Sequence, residues 1–369
     1  MNSVVSTPVA EEGEQATVKS PAAVSARLVW NRRIERMTAS CNLLGIGWLI
    51  PLLHILSGDG SRSQWLALWR LLLVPVLAIM IFLGVWAGLA SKVKTSLGEI
   101  PGPVMVAEQF QLLLEEHRTE RRKEQAYYDR QWEQYQRTVA KGSTARFEKR
   151  AYAGKPTYLD QIWTSLKTVF TGFLLGSLIA IPLGVLCGLS RTVQAALNPL
   201  IQIFKPVSPL AWLPLVTMVV SAVYVSDNPM FEKAFLNSAI TVTLCSLWPT
   251  LINTAVGVSS IDRDLTNVSR VLRLSWTVRV HRLVLPSALP YIFTGLRLTL
   301  GVGWMVLIAA EMLAQNPGLG KFVWDEFQNG SSQSLAKIMA AVLTIGMIGF
   351  LLDRIMQTLQ TVSTRGRTL

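Results

Sequence analysis

The run from Leu66 to Ala90, LALWRLLLVPVLAIMIFLGVWAGLA, constrains this chain more than any other stretch, because it carries a single charge, Arg70. A helix needs about 20 predominantly apolar residues to cross the roughly 30 Å hydrocarbon layer of a bilayer. Inside that layer every backbone N–H and C=O has to find a partner within the protein, and a helix supplies all of them locally. Further apolar runs cover Thr168–Leu189, Asn198–Tyr224, Phe235–Val258, Ala288–Leu313 and Leu335–Leu359. Half of the 369 residues are apolar and only 16% are charged, where soluble domains average about a quarter. Mean hydropathy is +0.37. The fold class that follows is an all-α polytopic membrane protein of about six transmembrane helices.

The runs differ in what they permit. Gly172, Gly176, Gly184 and Gly188 recur along one of them at four-residue spacings, which lets a second helix approach closely. The 198–224 run carries Pro199, Pro206, Pro209 and Pro214 and cannot be one straight helix. An interfacial piece, a bend at Lys205–Pro209 and a span from Ala211 are expected. Asn42–Leu56 is shorter and is interrupted by Pro51 and His54, so 41–65 reads as an interfacial or re-entrant segment. Residues 1–40 are a polar, disordered tail that lacks the apolar core of a signal peptide and turns basic at Arg27, Arg32, Arg33 and Arg36. The first span and a Pro-Gly-Pro turn fill 66–103. A polar helical insert follows at 104–156, with a long helix over Val104–Val139. Its Tyr128, Trp132 and Tyr135 share a face, either as packing on the protein's own surface or as a docking surface for another protein. The main core is 157–360 and a short tail covers 361–369.

The formal net charge of +12 suggests nucleic acid as a first alternative. The arginines, however, sit in loops flanking apolar runs, which is the positive-inside pattern. Counting short loops places 26–40, 190–206, 258–287 and 354–369 in the cytoplasm, with both termini, and places the insert outside. Cys41, Cys187 and Cys245 are scattered in or beside apolar stretches, and His54, His117 and His281 are dispersed, so no metal site is expected. A GxxxxGK[ST] phosphate loop, an HExxH and a nucleophile–base set are all missing from the sequence, and no catalytic residue is assigned. An ion-coupled carrier or channel acting alone is the alternative class; Arg297, Glu311 and Asp353 are its thin supply of ionisable residues within spans.

Ser259 to Pro290, SSIDRDLTNVSRVLRLSWTVRVHRLVLPSALP, interrupts this pattern with a polar, basic stretch. Leu265, Val268 and Leu272 fall at i, i+3 and i+7 and give a short helix one apolar stripe. Asp264 is the expected N-cap of that helix and Ser275 of the next; Pro286 and Pro290 mark the entry to the following span. The stretch resembles the cytoplasmic EAA loop of binding-protein-dependent ABC importer permeases. Aligned on Arg270, Leu272 and Ser275 and on LPSALP, the family's Glu-Ala-Ala falls on Asn267, Val268 and Ser269, and its Gly falls on Arg273. The departures at those four positions resemble the nitrate/bicarbonate/cyanate branch, and within it nitrate-type permeases above all. IFKPVSPLAWLPLVTMVVSAVY, SAITVTLCSLWPTLINTAVGVSSID and PYIFTGLRLTLGVGWMVLIAAEML carry the similarity further, while the 104–156 insert lies outside it.

The resemblance implies a MetI-like permease fold working as a dimer of permeases. It implies ATPase subunits below, holding ATP and magnesium, and a substrate-binding protein above, with no cofactor on this chain itself and no nucleic acid. The Leu265–Val268–Leu272 stripe would seat in a groove of the ATPase, with Arg263, Arg270 and Arg273 on its rim. The other reading is a connecting helix lying on lipid phosphates. The substrate implied is nitrate, with sulfonate, taurine, cyanate or bicarbonate as alternatives, and the location implied is a bacterial inner membrane. Pro206, Pro209, Trp212, Arg297 and Glu311 are candidates for the translocation path. Bundle packing is the competing role for the prolines and the tryptophan. A loop or lipid partner competes for Arg297, and an outer gate or helix–helix hydrogen bond for Glu311.

Overall fold

Helices form where the apolar runs predict them, in a computed structural model that describes residues 47–57, 61–90, 92–95, 98–141, 149–225 and 229–364. The expectations for the 1–40 tail, for 41–46 and for 365–369 lie outside the described residues. The chain divides into two units, 1–79 and 80–369. The first holds α1 (Leu49–Leu56), α2 (Arg62–Leu68) and a π-helical turn at Trp69–Leu73. With eight residues, α1 extends about 12 Å and cannot cross the bilayer. The helix α3 (Val74–Ala90) carries the chain into the second unit. None of the apolar window in Arg62–Ala90 is buried, as expected for a helix whose solvent is lipid.

In the second unit a two-residue antiparallel ladder, Lys94–Thr95 against Gly98–Glu99, precedes α4 (Pro103–Ala140). Pro103 starts α4 at a position where its missing N–H costs nothing. The remaining helices are α5 (Tyr158–Leu189), α6 (Arg191–Phe204), α7 (Pro209–Val223), α8 (Lys233–Ser259), α9 (Arg263–Val271), α10 (Trp276–Arg279), α11 (Leu285–Ala314), α12 (Leu319–Asn329) and α13 (Ser332–Thr364). Five helices among the described residues are long and apolar enough to cross a membrane, or six if α6 and α7, bent by 102°, form one span. At 15 residues α7 reaches about 22 Å, short of a full crossing from Ala211 on its own. The short helix α12, bracketed by Gly318 and Gly330, has no counterpart in the sequence reading.

The helix α8 is the centre, and α5 and α11 lie against it. A Cβ on Gly172 would meet Val242, on Gly184 Thr254, and on Gly188 Val258, each across the α5–α8 seam. Three of the glycines permit an approach that a Cβ would block, while a Cβ on Gly176 would sit in ordinary contact with Leu247 at 3.6 Å. Gly295 plays the same part on α11, against Thr250 and Asn253. Three hydroxyls in α8 bond back to their own helix: Thr241 to the Asn237 C=O at 2.7 Å, Thr243 to the Ala239 C=O at 2.9 Å and Ser246 to the Val242 C=O at 2.7 Å. Next to Pro249, the Thr250 N–H donates to Thr299 Oγ1 of α11 at 3.1 Å, so a backbone group beside a helix-breaking residue is taken up by the neighbouring helix.

Candidate functional site

The basic loop between α8 and α11 is tied down at its ends and bare along its face. Ile261 and Val280 pack on the buried cluster of Val185, Val258, Val284, Ala288 and Ile292, which joins α5, α8 and α11. Because Ile261 is held there, the chain turns into helix two residues earlier than expected. The cap of α9 is Asp262: its Oδ1 accepts the Asp264 N–H at 3.0 Å, and its C=O accepts the Thr266 N–H at 3.2 Å. Asp264, the expected cap, lies in the first turn instead, where its carboxylate still meets the positive end of the helix.

The other end of α9 closes with the Leu274 N–H on the Ser269 C=O at 3.1 Å and the Leu272 N–H on the Val268 C=O at 3.0 Å. Arg273 between them has φ +48°. This left-handed closure is the one glycine normally occupies after a helix, and Arg273 is the position where the resembled motif has its glycine. Here an arginine takes the conformation that suits a glycine, at a cost of roughly 1–2 kcal/mol for a side chain in this region. Ser275 stands at the N-cap of α10, but its hydroxyl reaches Thr277 Oγ1 at 3.4 Å rather than a backbone N–H. A π-helical turn at Val280–Val284 joins α10 to α11, Pro286 sits in the first turn of α11, and the helix runs on from Trp276 to Ala314.

Along α9, Ser269 is buried and its hydroxyl bonds the Thr266 C=O at 2.7 Å. The predicted stripe is open: Leu265 is 47%, Val268 54% and Leu272 63% exposed. Asn267 and Arg273 are exposed beside it. An apolar stripe on a short helix, rooted at both ends in the three central helices, can pass a push on its face directly into them.

The path candidates do not converge on one site. Pro206 lies exposed in the turn after α6, and Pro209 starts α7 beneath Ser208, whose Oγ accepts the Leu210 N–H at 3.3 Å. Trp212 stacks at 5.7 Å from Phe204 across the bend, packed against the main core. Arg297 forms a two-pronged ion pair with Asp353 of α13, Nε–Oδ1 2.5 Å and Nη2–Oδ2 2.7 Å. Its partner is thus another span, where the sequence reading offered an anion, a loop carbonyl or a lipid phosphate. Glu311 is fully buried near the far end of α11; its Oε2 accepts Ser165 Oγ–H at 2.8 Å and the Gly320 N–H at 3.0 Å. Ser165 Oγ in turn accepts the Leu319 N–H at 2.8 Å. Glu311 therefore fastens α5, α11 and the start of α12 together, which is the hydrogen-bonding role of the two considered for it.

Two cavities flank the central helices. One of about 280 Å³ has Thr164, Lys167, Glu232 and Asn316 in its wall. The other, about 200 Å³, lies between α6 and α8, with Gln194, Asn198, Gln202 and Lys205 on the α6 side. The sequence reading named neither set. The prolines of 198–224 drew attention to the bend and away from the i, i+4, i+8 amide stripe.

Residues 180–363 match the family described as the binding-protein-dependent transport system inner membrane component. The bicarbonate transport system permease protein CmpB of Synechococcus elongatus is 34% identical over 307 residues, covering 82% of this chain and 94% of that protein. The chain belongs to this permease family. The nitrate import permease protein NrtB of the same organism is 37% identical over 195 residues, covering 53% of this chain and 66% of its own length. Among solved structures, the inward-facing MetNI methionine ABC transporter aligns with a TM-score of 0.46 at 18% identity, over 56% of this chain and 96% of that one. The family match takes in the Asp262–Ser275 loop, both Arg297 and Glu311, and the α6–α8 cavity. It leaves α4 and the first part of α5 outside. As a permease of this family, the chain is a multi-pass membrane protein and one component of an ABC importer.

Proposed function

We propose that this permease serves an ATP-driven importer for a small planar oxyanion, nitrate, in a bacterial inner membrane with both termini in the cytoplasm. The observation that carries the coupling half of this reading is the open Leu265–Val268–Leu272 stripe on a helix rooted in α5, α8 and α11. Apolar side chains on an ordered, anchored helix call for a covering surface, and a separate ATPase subunit, holding ATP and magnesium, supplies it. Rigid-body movement of α9 then tilts the spans that share its root cluster. A second permease copy completes the pathway, and a substrate-binding protein delivers the anion from the outer side, where α4 offers it a contact surface.

The substrate half rests on the branch resemblance and on the relative that imports nitrate. The longer alignment to a bicarbonate permease favours bicarbonate as the second reading. Both anions are planar and singly charged, so one donor-lined path can pass either. Reconstitution with an ATPase and a binding protein from the same organism, followed by ATP-dependent uptake of labelled nitrate and bicarbonate, tests the proposal. Nitrate uptake above bicarbonate is expected. Uptake of bicarbonate alone moves the assignment to the second reading, and uptake of neither overturns it.

A further inference from the structure

The cavity between α6 and α8 has a wall of amides and one ammonium over an apolar floor. Gln194, Asn198, Gln202 and Lys205 fall within an arc of about 80° on α6, at 100° per residue. The adjoining arc, Val193, Leu197 and Ile201, packs on Ala180, Cys187, Leu247 and Leu251 and fixes that helix face in place. Opposite the amides stand Leu251, Ile252, Ala255 and Val256 of α8, with Cys187 of α5 at the base. No carboxylate lines this cavity, and the sequence holds no Asp or Glu between Asp160 and Asp227. Gln202 Nε2 donates to Asn198 Oδ1 at 3.3 Å, which occupies the Asn198 acceptor and leaves its N–H pair for a ligand. The wall therefore offers amide N–H donors and one ammonium, on an apolar floor, with nothing to repel an anion.

The contrast with the other cavity is chemical. There Lys167 shares its wall with Glu232, and a cation beside a carboxylate does not select for negative charge. The volume of about 200 Å³ fits an anion of four heavy atoms with several waters, each water occupying about 30 Å³. Position matters as well. Ala255 and Val256 lie in the last turns of α8, just before Asp262 caps α9. One wall of the cavity is thus the helix that feeds directly into the coupling loop.

We propose that the α6–α8 cavity is an oxyanion subsite at the α9 end of the pathway. Lys205 supplies the charge, and Gln194, Asn198 and Gln202 supply the N–H donors. The assignment rests on the oxyanion-import reading and names residues for it. A small free anion is preferred to a lipid phosphate because the donors line an indented cavity rather than a flat helix face.

The test uses the whole transporter in vesicles, with Cys41, Cys187 and Cys245 replaced by Ala and a reporter introduced by Val256→Cys, a cavity position that is 48% exposed. An anionic thiosulfonate should label this cysteine roughly tenfold faster than a cationic one, as expected for a single nearby cation worth about 1.4 kcal/mol. Nitrate should slow the labelling. Lys205→Gln should abolish both the charge preference and the protection, and Lys205→Arg should restore them. Equal rates for the two reagents, or protection that persists in Lys205→Gln, overturns the subsite. Protection by anionic phospholipid in the vesicle but not by nitrate assigns the cavity to a lipid headgroup and overturns it too. Nitrate uptake by the same vesicles separates the two readings: uptake without protection removes only the subsite, and absence of uptake of nitrate and bicarbonate removes the import reading itself.

Discussion

The two ends of the helix core handle their polar and apolar groups in opposite ways. At the end marked by Glu311, the chain ties polar side chains of neighbouring helices to one another, while Glu311 Oε1 and Asn316 Oδ1 stay buried without a hydrogen bond. Glu311 holds Ser165 and Gly320, Asn316 reaches Thr168 at 3.1 Å, Ser334 and Lys337 both bond Glu326, and Tyr158 donates to Thr344 at 2.7 Å. At the end marked by α9, an apolar stripe stands open and the α6 amides face a cavity. The closed end is built to hold one shape. The open end leaves apolar surface uncovered, which is where the proposed ATPase would seat.

Substitutions should therefore act through stability at one end and through association at the other. Glu311→Leu strips the partners from Ser165 Oγ–H and the Gly320 N–H in a fully buried site. A loss of about 3 kcal/mol is expected, at about 1–3 kcal/mol per orphaned buried group, read as a fall in thermal stability of the purified permease; an unchanged melting point breaks the contrast. Leu272→Glu, with Val268→Glu as its companion, should leave that melting point alone. Co-purification with the ATPase should drop by tenfold or more, the scale of a central interface residue worth about 2 kcal/mol. Destabilisation without loss of the partner would show α9 to be an internal structural element.

A smaller and opposite effect is expected at Arg273. Arg273→Gly relieves the left-handed strain at φ +48° and should stabilise the α9 closure by about 1 kcal/mol, seen as slower amide exchange at Leu274 with ATPase binding retained. Faster exchange would mean that the arginine side chain holds the turn.

The smallest effect concerns the segment that runs back along α4. Tyr152 donates to Glu120 at 2.8 Å. That bond, then the Lys123 ammonium, holds the Glu120 carboxyl below its ordinary 4.5, and the same bond raises Tyr152 above its ordinary 10.0. A depressed carboxyl stabilises above its unfolded value and loses this as pH falls through the lower folded value; a raised phenol stabilises below 10.0 and loses this as pH rises through the folded value. The protection of amides across 149–157, taken relative to intrinsic exchange at each pH, should be constant between those limits and fall beyond each. In Tyr152→Phe the alkaline limb should vanish and the acid limb weaken; identical profiles would remove the bond from consideration.

Much of this was legible in the chain before any coordinates. Apolar runs name their own helices because lipid asks only for length and hydropathy, and the α5 glycines announce a close neighbour without saying which. What stays hidden is pairing across distance. Arg297 and Asp353 were each visible, but 56 residues apart, with nothing in helical phase to join them. The cap of α9 was displaced from Asp264 to Asp262 because the tethering of Ile261 is a tertiary fact. Nor does an arginine advertise a left-handed backbone; at Arg273 only the resembled motif's glycine pointed there. α12 escaped because a reading keyed to long apolar runs passes over an 11-residue helix lying between two spans.

The long helix α4 has a mechanical consequence. Val106 and Leu113 root it in the main core beside Tyr158 and Phe322, while the helix continues to Ala140, about 40 Å further on. Such a geometry is a pointer. A tilt of only about 5° at the root swings the tip by about 3.5 Å over that length, so rearrangements too small to see inside the core are written large at Ala140. A spin label or fluorophore there would read the transporter's cycle far from the core that generates it.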